Sequence, residues 1–222
     1  MKKHNRHMTG KRTYATLFGA LLSICVASSA AKADTPGQEE LKAGLSANSN
    51  GRYAEAIQHF SQALNAGLPA KTNFVVRLLR VQAYTASAQN KKALGDCLQL
   101  QRNLTQSSDK QQAGAVHAWK GYNELELGMC QPAVKDLEQA VAFDQKSPTE
   151  ARSRAWLGHA YQATGRYKDA VQQYSKAIAL NSKVAEAYKG RATAYRHLGQ
   201  DHLAEIDENK YQSAQRYALV KN

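Results

Sequence analysis

The sequence predicts an all-α fold of about five helix-turn-helix repeats, and three observations carry that expectation. First, an Ala recurs twelve residues after one fixed helical position: Ala56, Ala93, Ala133, Ala170 and Ala204 follow Gly44, Val81, Gly121, Gly158 and Ala192. Four of those five earlier residues are Gly or Ala, and two helices that pack closely need such a notch. Second, Gly51, Gly128, Gly165 and Gly199 fall where the first helix of a unit must end, in a conformation that glycine adopts cheaply. Third, Tyr167, Ala170, Val171, Tyr174, Ala177 and Ile178 follow the three-then-four spacing of a helix with one buried stripe.

The units run about 37–70, 74–107, 114–147, 151–184 and 185–218. In the first, Thr35 precedes Pro36 with Gln38 three residues on, the pattern of a capping box. In the second, Leu104 is the last apolar residue, and the polar stretch 105–112 reads as a longer loop. The third carries Pro132 in the first turn of its second helix, where proline is tolerated. The fourth opens on Ser147, Pro148 and Glu150, a second capping box, and continues through Leu157, Gly158 and Tyr161. In the fifth, Glu208 and Tyr211 stand at places that are apolar or small elsewhere. Pro69 falls between the first two units, so no proline interrupts a helix.

Charge gives a second check. Arg80, Lys120 and Arg191, each just before the notch, are matched sixteen residues later by Asp96, Asp136 and Asp207. The other two units hold Ala43 with His59 and Leu157 with Gln173, lacking both base and acid. The pattern predicts pairs that bridge the two helices of one repeat; if exposed, each contributes about 0 to 1 kcal/mol and sets register more than stability.

At these residues the chain resembles the tetratricopeptide repeat family, whose unit of about 34 residues is a helical hairpin. The run Trp156-Leu157-Gly158-His159-Ala160-Tyr161, continuing through Gly165-Arg166-Tyr167 to Ala170 and Tyr174-Ser175-Lys176-Ala177, matches most strongly, and Ser182 stands where the family usually has Pro. The resemblance covers about 38–214 and implies a right-handed superhelical solenoid with a concave groove that binds a protein or peptide partner. An atypical last repeat is expected, because its outer face meets water. Clamp-bearing members have Lys and Asn where this chain has Leu41 and Leu45, which disfavours recognition of a chaperone C-terminus.

Residues 1–33 are of another kind. Lys2, Lys3, Arg6, Lys11 and Arg12 come with no acid, 14–31 is uncharged, and Ala31-Lys32-Ala33 precedes Asp34. This reads as a secretory signal cleaved after Ala33, leaving a periplasmic or secreted domain at 34–222 with no membrane span. Loss of the segment's six basic residues leaves 24 of 30 against 18 acids, a balance of +6. A balance of that size serves solubility or attracts an anionic glycan or acidic peptide; nucleic acid is disfavoured for an exported chain without a basic, aromatic cluster. Cys97 and Cys130 are the remaining cysteines, read as free thiols, with a disulfide the alternative.

Catalysis finds no foothold: there is no Gly-rich phosphate loop, no Gly-x-Ser-x-Gly elbow and no His-Glu-x-x-His pair, and the scattered histidines point to no metal or cofactor. Helix phase instead points to a binding face. Positions two before the notch turn almost opposite to it, and in the third and fourth units they hold Trp119 and Trp156. Tyr122 and His159 lie three residues on, Arg152 one turn earlier, and the fifth unit adds Lys189, Thr193 and Arg196. The expectation is an aromatic and basic patch suited to an extended peptide, with a carbohydrate as the alternative ligand. The competing arrangement packs both indoles between neighbouring first helices as core.

Overall fold

Small residues at fixed offsets become helical hairpins because each notch receives one large side chain from the opposite helix. The computed structural model describes residues 35–104, 109–143 and 149–220, with side chains to 216. Among them are ten helices and no strand: α1 Pro36–Ser49, α2 Tyr53–Asn65, α3 Ala70–Ala86, α4 Asn90–Asn103, α5 Lys110–Glu126, α6 Cys130–Phe143, α7 Glu150–Ala163, α8 Tyr167–Leu180, α9 Ala185–His197 and α10 Asp201–Val220. They form two compact units, one up to Asp96 and one from Cys97 onward. The leader, its cleavage point after Ala33 and the Ser147-Pro148 start of the second capping box lie outside the described residues.

Phe60 fills the notch at Gly44, Leu137 that at Gly121 and Tyr174 that at Gly158; a Cβ on any of these glycines would stand 2.6 to 2.7 Å from the facing ring or side chain. In the first unit Phe60 centres a cluster with Ala47, Ala56, Ala63, Val76, Leu79 and Ala83. In the second, Leu100, Val116, Leu137 and Tyr174 are fully buried. The first capping box forms, the Gln38 side chain accepting from the Thr35 amide at 2.9 Å. The loop expected at 105–112 is shorter, since Asp109 caps the Gln111 amide at 2.9 Å and α5 begins at Lys110. The reason is local: a single aspartate satisfies an orphan donor and lets a polar run enter the helix early.

Each first helix ends by the same device, with the residue after the turn donating to a carbonyl five residues back. These bonds join Arg52 to Ala47, Gln89 to Tyr84, Met129 to Glu124, Arg166 to Tyr161 and Gln200 to Tyr195 at 2.8 to 2.9 Å. Gly51, Gly128, Gly165 and Gly199 take the left-handed residue this demands, and in the second repeat Ala88 takes it instead, at φ 60°.

The charged pairs bridge the two helices of their repeats. Arg80 holds Asp96 through two bonds of 2.8 Å, Lys120 Nζ donates to Asp136 at 2.6 Å, and Arg191 holds Asp207 at 2.6 and 2.8 Å. They are not exposed, however: Asp96, Asp136 and Asp207 are 5%, 6% and 2% accessible. A second partner comes from nineteen residues before the acid, Arg77 on Asp96 at 3.3 Å and His117 on Asp136 at 2.8 Å. The same offset serves the two repeats that lack the pair, joining Glu40 to His59 at 2.7 Å and Arg154 to Gln173 at 3.2 Å. Arg80 and Arg191 also donate to Ser61 and Ser175, on the second helix of the preceding hairpin, each at 2.9 Å. One guanidinium thus ties three helices.

Ala88→Gly is expected to raise stability by about 1 kcal/mol, the cost an L side chain bears in the left-handed region, read as a higher urea midpoint at unchanged slope. Arg191→Ala, which strands a buried carboxylate, is expected to cost about 3 kcal/mol. Arg196→Ala, which breaks an exposed pair with Glu208, should leave the midpoint in the same titration almost where it was.

Candidate partner-binding face

In the second unit the first helices α5, α7 and α9 pack in succession, α5 on α7 and α7 on α9. Tyr122, His159 and Thr193 share one register along them, each one residue past Gly121, Gly158 and Ala192. The aromatic members meet between α5 and α7. Trp119 and Trp156 lie 5.2 Å apart by ring centroids, Tyr122 and Trp156 4.6 Å, and Tyr122 stands edge-on to Trp119 at 6.3 Å. All three are buried, Trp119 at 3% and Trp156 at 8% exposure.

The expected open aromatic patch is therefore corrected to the competing arrangement. The side of a first helix opposite its own notch does not face water where a neighbouring first helix lies against it. Two indoles at the same register on adjacent helices then fill the space between them. Arg152 closes this cluster from α7, its guanidinium carbon 5.4 Å from the Trp119 ring and 5.1 Å from the Trp156 ring, a cation over two π-faces.

The remaining expected residues go elsewhere. His159 stands edge-on to Tyr174 at 5.4 Å, toward its own hairpin. Lys189 Nζ lies 5.6 Å from the Tyr211 ring, Arg196 pairs with Glu208, and the Thr193 hydroxyl donates to the Lys189 carbonyl at 3.1 Å. Lys189 and Arg196 thus contribute to the end of the stack against α10, and none of the three makes a contact with the indoles among those described. Lys189 and Arg196 are exposed and Thr193 is half-buried.

Two features escaped the sequence reading. One is a latch between consecutive hairpins: the Tyr161 hydroxyl donates to Glu138 at 2.7 Å, and Arg166, 4.1 Å over the Tyr161 ring, reaches Glu138 at 3.8 Å and Asp169 at 2.7 Å. Burial, with the Glu138 carboxylate beside it, pushes the Tyr161 hydroxyl up to about 12. The other is Glu126, one turn beyond Tyr122 at the surface of α5, whose carboxyl burial raises more than the Tyr122 hydroxyl lowers. Spacing alone does not reveal the latch, which joins two hairpins at offsets other than the repeat's, and Glu126 lies four residues from Tyr122 within α5. Cys97 and Cys130 are free thiols. Among the described residues no group of His, Cys, Asp and Glu is arranged to hold a metal ion, and no helix is long and apolar enough to cross a membrane. An open recess of about 430 Å³ lies by Ser182, Tyr188, Asn209, Lys210 and Ser213.

A family profile described as TPR repeat matches residues 158–199, the part of the chain from the fourth notch to the last turn. The chain is similar to the Hsp70-Hsp90 organizing protein of Triticum aestivum, 30% identical over 154 residues that cover 67% of this chain and 24% of that protein. It is also similar to the Hsp70-Hsp90 organizing protein 1 of Glycine max, 38% identical over 73 residues covering 33% of this chain and 12% of that one. The chain thus spans about a quarter or less of the length of these relatives. Among solved structures, the TPR-like repeats of a kinesin light chain from Podosopora anserina superpose at a TM-score of 0.66 with 20% identity, over 85% of this chain and 99% of that one. The crystal structure of MamA superposes at 0.61 with 18% identity, over 82% and 92%. Both show the same fold.

Trp119→Ala and Trp156→Ala are each expected to cost about 3 to 5 kcal/mol, as large buried rings do. Lys189→Ala should stay within about 0.5 kcal/mol of the parent, as surface changes do; thermal melts of the three variants check the contrast.

Proposed function

We propose that this chain, a tetratricopeptide-repeat protein, is an exported binding scaffold that holds a protein or peptide partner along the face built by α5, α7 and α9, within the cell envelope of a bacterium. The observation that carries the reading is the construction of that face: three successive first helices, α5 packed on α7 and α7 on α9, the first two locked by the Trp119, Tyr122 and Trp156 cluster with Arg152 half-buried above it. The buried rings supply rigidity, and a rigid face binds with little ordering cost. Recognition then falls to the polar side chains at its rim, Glu126, Arg152 and Thr193.

The wheat relative is named for organising two chaperones, and this chain shares the region of similarity with it rather than its full length. Leu41 and Leu45 pack against the apolar cluster of the first unit. A partner held there by a Lys and Asn carboxylate clamp is therefore not part of the proposal. The glycan alternative needed open indole faces, and rings this buried offer sugars no stacking platform. Export rests on the basic start, the uncharged stretch 14–31 and the Ala31-Lys32-Ala33 cleavage pattern. A mature protein whose N-terminus is Asp34 by intact mass is the expected result.

Photo-crosslinking residues placed at Glu126 and Thr193 in intact cells are expected to capture one and the same protein. The same group at the exposed Gln58 and Gln172, on second helices, is expected not to capture it. Equal capture from all four positions, or from the second helices alone, would remove the first-helix face as the binding surface.

A further inference from the structure

The third hairpin closes on a clasp unlike the other four. In the second and fifth hairpins an arginine, which stays charged at all accessible pH, grips the opposing aspartate through two hydrogen bonds. In the third a lysine takes that place, Lys120 Nζ on Asp136 Oδ2 at 2.6 Å, with His117 Nδ1 2.8 Å from Oδ1. A second carboxylate shares the same ammonium. Glu124 Oε1 lies 3.4 Å from Lys120 Nζ, and Glu124 Oε2 is buried with no hydrogen-bond partner. The other first helices hold Ala47, Tyr84, Tyr161 and Tyr195 at this register, so a carboxyl at this depth is peculiar to the third hairpin.

Among the described residues, the neighbouring helices bring no further cation to Glu124. On α6 the charged neighbour is Asp136, with Lys135 and Glu138 exposed. On α7 Glu150 and Arg154 pair with each other at 2.6 Å, and Arg152 lies over the indoles. The part of α4 in this unit contributes only the exposed Arg102. One ammonium faces two buried carboxylates, and a second full negative charge there meets both desolvation and repulsion.

We propose that the third hairpin is a proton-operated joint: with Glu124 protonated the α5–α6 clasp is balanced by Lys120 and Asp136 and stays shut, and loss of that proton loosens this hairpin alone. Burial first, and the Asp136 charge second, raise the Glu124 carboxyl to about 7. Burial works against the Asp136 charge too, but His117 and Lys120 hold that carboxyl below its ordinary range, so Asp136 stays ionised and Glu124 takes the proton. A folded value above the ordinary 4.5 means that the stabilisation is complete below about 4.5 and is lost as pH rises to about 7. The loosening reaches the partner-binding face, because α5 also carries Trp119 and Tyr122 against Trp156.

Amide hydrogen exchange on the full chain, corrected for intrinsic rates, tests the joint. Opening of α5 and α6 is expected to rise about tenfold from pH 6 to pH 8, with α8 and α9 unchanged over the same range. In Glu124→Gln the rise disappears, and in His117→Gln it persists. Glu124→Tyr, which copies the fourth hairpin's residue, serves if the amide variant does not fold. Equal opening of the parent at both pH values, a rise that survives in Glu124→Gln, or one abolished in His117→Gln would each overturn the proposal.

Discussion

The ring of Tyr174 has no free space beside it. A Cβ on Gly158, across its own hairpin, would stand 2.7 Å from it, and one on Gly190, in the next hairpin, would stand closer still. The side chain is wholly buried and donates its hydroxyl to Gln162 at 3.2 Å. One phenol therefore sets both the closure of α7 on α8 and the approach of α9. Interiors packed to crystal density transmit such a constraint rather than absorb it. A methyl group at either glycine would have to move backbone or ring. The fourth and fifth hairpins consequently have one spacing available, and the placement of α7 and α9 within the face depends on it.

Polar groups then choose the register that packing permits. The second helix of every repeat places a polar residue at the same register, and what reaches it varies: Glu40 for His59, Arg77 and Arg80 for Asp96, His117 and Lys120 for Asp136, Arg154 for Gln173, Arg191 for Asp207. The first repeat inverts the polarity, with the acid on the first helix. Such pairs add less to stability than hydrophobic replacements of equal volume would, but a wrong register would leave a buried charge stranded. At the end of the stack the logic changes. Where the earlier second helices bring Phe60, Leu137 and Tyr174, α10 brings Glu208, and where they bring Ala63, Ala140 and Ala177 it brings Tyr211. Arg196 and Lys189 meet these two residues, so the last hairpin closes with groups that tolerate water.

The candidate site was partly legible. That Trp119, Tyr122, Arg152 and Trp156 belong together follows from helix phase, and the structure assembles all four. Phase could not tell groove from interface, because the direction opposite a notch is open or occupied according to where the neighbouring helix lies. Lys189 and Arg196 were misassigned to the same patch for a related reason: Glu208 and Tyr211 on α10, at places that earlier second helices give to apolar or small residues, claim them instead. The latch of Tyr161, Glu138 and Arg166 joins two repeats at spacings of 23 and 28 residues, which no single-unit pattern displays.

The sequence by itself determined the hairpins, their number, their turns and the charged bridges of the second, third and fifth repeats. These are properties of one helix or of two helices joined by a short turn, and they recur at fixed offsets along the chain. Only the tertiary structure decided burial: that the bridging aspartates are shielded from water, that the indoles are core, that Ala88 carries the left-handed turn, and that Glu124 shares the Lys120 ammonium with Asp136. Burial is a property of what lies across the gap from a residue, and that neighbour comes from another element whose distance along the chain follows no local period.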